Sequence, residues 1–246
     1  MTQNKQLVFK NIRKSYVLNS VPKNRKGRAE DIPVIEVLKG VGLDIYQGEF
    51  AFLVGESGAG KSTLVKILIR EEEPSEGEIY FGDTNILEIP KQEIHLIRRK
   101  IGVVFQDFKL LESKTVFENV AIALKVVDAP EEEINEIVPN VLNMVGLLDK
   151  KDNYPHQLSG GEEQKTAIAR ALAHEPDILV ADEPTGMIDP ESGDQIMEIL
   201  ENIAERGTTV LMATHDQDIV NKMQKRVIRI HKGEIISDKE KGHYHE

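Results

Sequence analysis

Two hydrophobic rhythms run along this chain. Residues 7–16, LVFKNIRKSY, alternate apolar and polar side chains as a half-buried strand does, and VIEVLKGVGLDIYQG at 34–48 repeats the habit up to a turn at Gly48. EGEIYFGD at 76–83 reads as another strand, closed by a Gly-Asp turn. EFAFLVG (49–55), ILVAD (178–182) and TTVLMAT (208–214) differ: they are short apolar runs, the last two ending in polar residues, the pattern of parallel strands covered on both faces.

A longer period marks the helices. STLVKILIREE sets Leu64, Ile67 and Leu68 on one face, and DPESGDQIMEILENIAERG fits a helix between the last two buried strands, stopped by Gly207. Residues 91–150 read as mainly helical, through KQEIHLIRRK, TVFENVAIALKVV and EEEINEIVPNVLNMVGLLDK, and are expected to form an inserted lobe rather than a domain. Between the first two strands lies LNSVPKNRKGRAEDIP, whose Pro22, Gly27, Pro33 and cations Lys23, Arg25, Lys26 and Arg28 predict a long basic loop. Strand, helix, strand with the polar ends together predicts a doubly wound α/β core with its site at the strand C-termini.

Composition narrows the partners. The 42 acidic against 31 basic residues leave a net charge of -11, which opposes non-specific binding to a polyanion, so no nucleic acid is expected. The absence of cysteine removes a disulfide framework, a thiolate metal site and a cysteine nucleophile together. No apolar stretch approaches the ~18–20 residues that span a bilayer, and the polar start MTQNKQLVFK carries no signal peptide, so a membrane link has to come from a partner. His243 and His245, in GHYHE, read as part of a frayed tail.

The chemistry begins in GESGAGKST, where Gly55, Gly60, Lys61 and Ser62 match G-x-x-x-x-G-K-S/T after a strand and before a helix. Across Gly55, Glu56, Ser57, Gly58, Ala59, Gly60, Lys61, Ser62 and Thr63 the backbone can wrap phosphates, Lys61 can neutralise the β and γ oxygens, and the Ser62 hydroxyl can ligate Mg²⁺. Asp182, at a strand end, supplies a carboxylate for the magnesium shell, and Glu183 beside it a general base for water. His215, after the last apolar run, can bond a γ-phosphate or the attacking water, and Gln106 in VVFQDF can reach Mg²⁺ or that water. Tyr16 reads equally as a ring for stacking on a purine or as a half-buried edge tyrosine. A second anion cup precedes a helix in QLSGGEEQKTAIAR, where Ser159, Gly160 and Gly161 offer a hydroxyl and amides.

In order, GESGAGKS, FQD, LSGGEEQ, ILVADEP, GMID and ATHD make the chain resemble the ATP-binding subunit of ABC transporters over nearly its whole length. The resemblance implies one ATPase domain over 1–246: a nucleoside triphosphatase core, an antiparallel β lobe and a helical lobe at about 91–156. It also implies head-to-tail pairing of two copies, the LSGG of one closing over ATP held by the other, so that the two cups are halves of one site. By the same resemblance Tyr16 stacks on adenine, Gln106 senses Mg²⁺ and the membrane partner, Glu183 is the catalytic base, Asp189 the crossing-loop aspartate and His215 the switch histidine. Gly40, Gly42 and the stretch from Phe108 to Val120 are expected on the partner-docking side. FQDFKLLESKTVFENVAIAL, VGLLDK and LMATHD are most similar to the cell-division branch, the FtsE-type ATPases, which work at the cytoplasmic face of the membrane with an FtsX-like integral membrane protein to control cell-wall hydrolysis. The ATPases of lipoprotein-release and macrolide exporters share ADEPTG and are the alternative; a chromosome-maintenance ATPase would want a long coiled coil or a basic surface. Three departures from the family pattern stand out: the long basic loop after Tyr16, KTAIAR with its Lys165, and GMID.

Overall fold

A computed structural model describes residues 4–17 and 34–245; the basic loop with Lys23, Arg25, Lys26 and Arg28 lies outside the described residues. β1 (Lys5–Val17) and β2 (Val34–Tyr46) pair antiparallel, with Leu7 opposite Ile45 and Phe9 opposite Leu43. β4 (Glu76–Phe81) joins the other edge of β1 and the two-residue β5 (Thr84–Asn85) completes an antiparallel sheet in the order β2-β1-β4-β5. The alternating sequence pattern is explained by its buried face, which carries Leu7, Phe9, Leu43, Ile45 and Ile79.

The second sheet has the order β10-β9-β3-β8-β7-β6, built from β3 (Phe50–Val54), β6 (Ile101–Val104), β7 (Ile178–Asp182), β8 (Thr209–Thr214), β9 (Arg226–His231) and β10 (Glu234–Lys239). Its strands are parallel except β10, which returns antiparallel on β9. Successive side chains of a strand point to opposite faces, so each unbroken apolar run feeds two cores. Phe50, Phe52 and Val54 of β3 enter one core, with Leu179 and Ala181 of β7; Ala51 and Leu53 enter the other, with Ile178 and Val180. The helix α1 (Lys61–Leu68) lies in the second core with the antiparallel sheet, through Leu64, Ile67 and Leu68.

Helices α3 (Val116–Lys125), α4 (Glu131–Met144), α5 (Gly160–Leu172) and α6 (Pro190–Glu205) supply the first core. α3 opens on a capping box in which the Thr115 hydroxyl accepts the Glu118 N–H and the Glu118 carboxylate accepts the Thr115 N–H.

In three places the structure departs from the sequence pattern. Within 91–150, α2 (Ile94–Arg98) is one short turn-and-a-half, and Ile101–Val104 is the edge strand β6, with Gly102 opposite Leu179. A four-residue apolar run has too few positions for its period to separate strand from buried helix. After His215 the chain forms α7 (Gln217–Met223) and the β9–β10 hairpin, elements the hydrophobic pattern does not single out. The segment around His243 and His245 is not a frayed tail: Tyr244 is only 6% exposed and belongs to the first core. Among the described residues no helix is long and apolar enough to cross a membrane.

Candidate active site

β3 delivers the phosphate loop and α1 receives it. Gly55 has to be glycine, because a Cβ there would lie 2.3 Å from the carbonyl oxygen of Ile230 on the neighbouring strand β9. Gly60 caps α1 without a side-chain hydrogen bond, and the first turn of α1 contains no acid, so its leading amides and positive helix end are left for an anion. Lys61 is buried over this loop, donating from Nζ to the carbonyls of Gly55 at 2.7 Å and Glu56 at 3.4 Å. The same ammonium lies 3.4 Å from Glu183 Oε1.

The end of β7 brings two carboxylates to the loop in different environments. Burial raises the pKa of Asp182, with the Glu183 charge adding to the rise and a hydrogen bond to Ser62 opposing it. Among the described residues its Oδ1 is buried with no hydrogen-bond partner. Glu183 sits one residue on at φ +50, a left-handed conformation that costs a non-glycine residue about 1–3 kcal/mol. Its backbone is fixed there from both sides: its N–H donates to the Ala213 carbonyl at 2.8 Å and its carbonyl accepts the Gly186 N–H at 3.1 Å. Around its side chain Nδ1 of His215 lies 2.9 Å from Oε1, and the Thr214 hydroxyl and His215 N–H each donate to Oε2 at 3.3 Å. The structure therefore gathers Lys61, Ser62, Asp182, Glu183 and His215 at the C-terminal ends of β3, β7 and β8, where the α/β reading places the site.

Thr214 is an addition to that set. Its hydroxyl also accepts the Asp216 N–H at 3.0 Å, so it ties the Glu183 carboxylate to the turn carrying His215. In the sequence it is simply the last residue of a β-branched strand, and only its place directly before His215 hints at more.

The remaining candidates have neighbours outside that set. Gln106 is exposed, with its amide close enough to Gly186 that a Cβ there would come within 3.1 Å of Nε2. The loop that carries it is held by Arg170, which donates to the carbonyls of Phe108 at 2.8 Å and Lys109 at 2.7 Å. Phe108 and Lys109 both have positive φ, so this pair of bonds fixes a conformation that the residues themselves disfavour. Tyr16, at the end of β1, is 36% exposed, with its hydroxyl donating to Glu72 and the Lys14 ammonium 4.9 Å from the ring centre. Asp189 caps α6 by accepting the Ser192 N–H at 2.9 Å, and the Ser192 contacts hold its carboxyl below the usual range.

Away from Lys61 and its neighbours, a Cβ on Gly160 would meet Ile188 and Met187, and one on Gly161 would meet Ser192. Ser159 caps α5: its hydroxyl accepts the Glu162 N–H at 3.3 Å and its own N–H donates to the Glu162 carboxylate at 2.9 Å. The arrangement as a whole can neutralise phosphate charge at Lys61 and α1, hold a cation at Asp182 and Ser62, and accept a proton from water at Glu183.

Residues 38–186 match the family described as ABC transporter. The chain is 50% identical over 210 residues to the cell division ATP-binding protein FtsE of Bacillus subtilis (strain 168), covering 85% of this chain and 92% of that one. It is 47% identical over 207 residues to the protein of the same description from Streptococcus pneumoniae serotype 2, covering 84% and 90%. The dimeric structure of an ATP-binding cassette in a post-hydrolysis state, bound to ADP and Pi, superimposes with a TM-score of 0.81 at 35% identity over 95% of this chain and 98% of that one.

Proposed function

The chain belongs to the ABC transporter family and is an ATP hydrolase; from that premise we propose that two copies close head to tail on Mg-ATP and drive a conformational change in an FtsX-like integral membrane protein, controlling cell-wall hydrolysis during bacterial cell division. The observation that carries the division reading is the 50% identity to a cell division ATP-binding protein over 85% of the chain. On this reading residues 1–246 work as one ATPase unit at the cytoplasmic face of the membrane, bound there through the partner.

Within that unit Lys61 and the α1 amides neutralise the β- and γ-phosphates, and Tyr16 stacks on adenine. Glu183 takes the proton of the attacking water, His215 holds the carboxylate and the γ-phosphate side of the site, and Asp189 serves the crossing between copies. A Mg²⁺ ion fits Ser62 and Asp182: a buried carboxylate oxygen lacking a protein partner beside a hydroxyl suits an ion that takes one or two protein ligands and leaves the rest of its shell to phosphates and water. When bound, the ion spreads the charge that develops on the phosphate oxygens. Gln106 is assigned to sense the ion and the partner.

Pairing accounts for the second cup. The separate surroundings of Ser159–Gly161 and Lys61 within one chain support a site in which the hydroxyl and amides of one copy meet the γ-phosphate held by the other. ATP then joins the two copies through contacts that ADP lacks, and hydrolysis loosens them.

The Glu183→Gln variant tests the base. It should bind ATP and lose turnover by at least ~100-fold, the lower end of what a general base contributes; unchanged turnover would remove Glu183 from that role. Crosslinking the same variant in native membranes with ATP, followed by mass spectrometry of the attached integral-membrane protein, tests the partner. An FtsX-like protein is expected, whereas a substrate permease would make the chain an exporter ATPase and leave the site assignments intact.

A further inference from the structure

The segment 242–245, which follows β10, holds two elements of the site together. The Tyr244 ring lies in the same core as Val220 of α7 and Val227 of β9. Its backbone N–H donates to Asn221 Oδ1 on α7 at 3.0 Å. His245 grips both sides: its Nε2 is 2.9 Å from Oε1 of Gln217, the first residue of α7, and its carbonyl accepts from Arg229 of β9 at 3.1 Å. The two rings meet edge to face at 5.2 Å. Burial is the main reason the Tyr244 phenol pKa is raised.

Both gripped elements touch the reaction. α7 is capped by Asp216, the residue after His215. β9 carries Arg229 opposite Val54 and the Ile230 carbonyl that walls Gly55, so it forms the back of the phosphate loop. α7 has only seven residues, and Val220 is its one buried side chain. A helix so short does not hold itself in water, and its position depends on what packs on it.

We propose that Gly242–His245 is a strap, with Tyr244 as a positioning residue, that fixes α7 against β9 and thereby holds His215 on Glu183. The catalytic consequence rests on the assignment of His215 given above; the mechanical one does not. Displacing a reacting group by about 1 Å costs as much as ~100-fold in rate, so Tyr244→Ala is expected to lower kcat by about tenfold or more. KM for ATP should stay within about twofold, because the phosphate loop keeps its own contacts. Tyr244→Phe keeps the ring and is expected to restore turnover.

Two measurements separate this from general damage. Hydrogen exchange in Tyr244→Ala should quicken over residues 215–223 and remain unchanged over α1. In a His215→Ala background, Tyr244→Ala should cause no further loss of kcat. Unchanged exchange over 215–223 overturns the strap, and so does a loss of equal size in both backgrounds. If His215→Ala alone turns over like the wild type, the catalytic assignment of His215 fails, while the exchange measurement still decides whether the strap holds α7. Should Tyr244→Ala fold too poorly to assay, the Asn221→Ala and Gln217→Ala pair removes the Tyr244 and His245 bonds to α7 and carries the same expectations at smaller size.

Discussion

Asp182 is half-buried at the end of β7, with one carboxylate oxygen lacking a partner among the described residues. Its folded pKa is raised by burial, so folding favours the protonated form: the associated stability is full below the unfolded pKa of about 3.9 and is lost as pH rises through the higher folded value. Asp182→Asn should therefore melt higher than the wild type at neutral pH without ATP, by about 2–4 °C for each kcal/mol recovered. The difference should shrink on acidification below the folded pKa, and thermal scans across a pH series check both points. A variant that melts lower than the wild type at pH 7 would mean that the Ser62 hydrogen bond outweighs burial. Residues of this kind are legible in sequence because motif and context coincide: Gly55–Thr63 follow a strand, and Asp182 and Glu183 end one. Thr214 and Tyr244 are not legible, since a threonine in a strand and a tyrosine in a polar string have ordinary explanations until the fold sets one against Glu183 and the other beneath α7.

Between elements, the contact of α5 with α6 is set by a missing side chain. A Cβ on Gly161 would lie 2.6 Å from Ser192 Oγ and 2.7 Å from Ser192 Cβ, so the helices approach only as far as this glycine permits. Overpacking of this type costs about 1–3 kcal/mol. Gly161→Ala should lower the melting temperature accordingly, and adding Ser192→Gly, which empties the occupied space, should restore most of it. An equally low melting temperature in the double variant would locate the strain elsewhere. The sequence predicts α5 and α6 well, because each combines a capping residue with a long amphipathic run. It does not predict β6, whose four apolar residues have too little length for a period, or α7, which is short and mostly exposed and gains its place from Tyr244 and β9. Elements stabilised by their own periodicity are visible in the sequence, and those stabilised by a distant neighbour are not.

At the scale of the molecule, the apolar runs made the parallel α/β core legible, while the antiparallel lobe was expected only from the family resemblance. The alternating runs form the antiparallel sheet and the continuous ones the buried parallel one, with Lys61, Asp182, Glu183 and His215 at its C-terminal edge. Within one chain Lys61, Asp182 and Glu183 stand together, while Gly161 of the second cup stands against Ser192 of α6. A net charge of -11 opposes association of two copies; if they pair on ATP as proposed, raised salt should strengthen the pair by screening that repulsion. Sedimentation velocity at two ionic strengths would register it. The most direct test is sedimentation of Glu183→Gln with Mg-ATP beside Glu183→Gln/Ser159→Arg, which fills the second cup with a bulky side chain and leaves the phosphate loop intact. The account predicts a dimer for the first and an ATP-binding monomer for the second. A first variant that remains monomeric with ATP, or a second that dimerises as well as the first, would contradict a site completed by Ser159 of another copy.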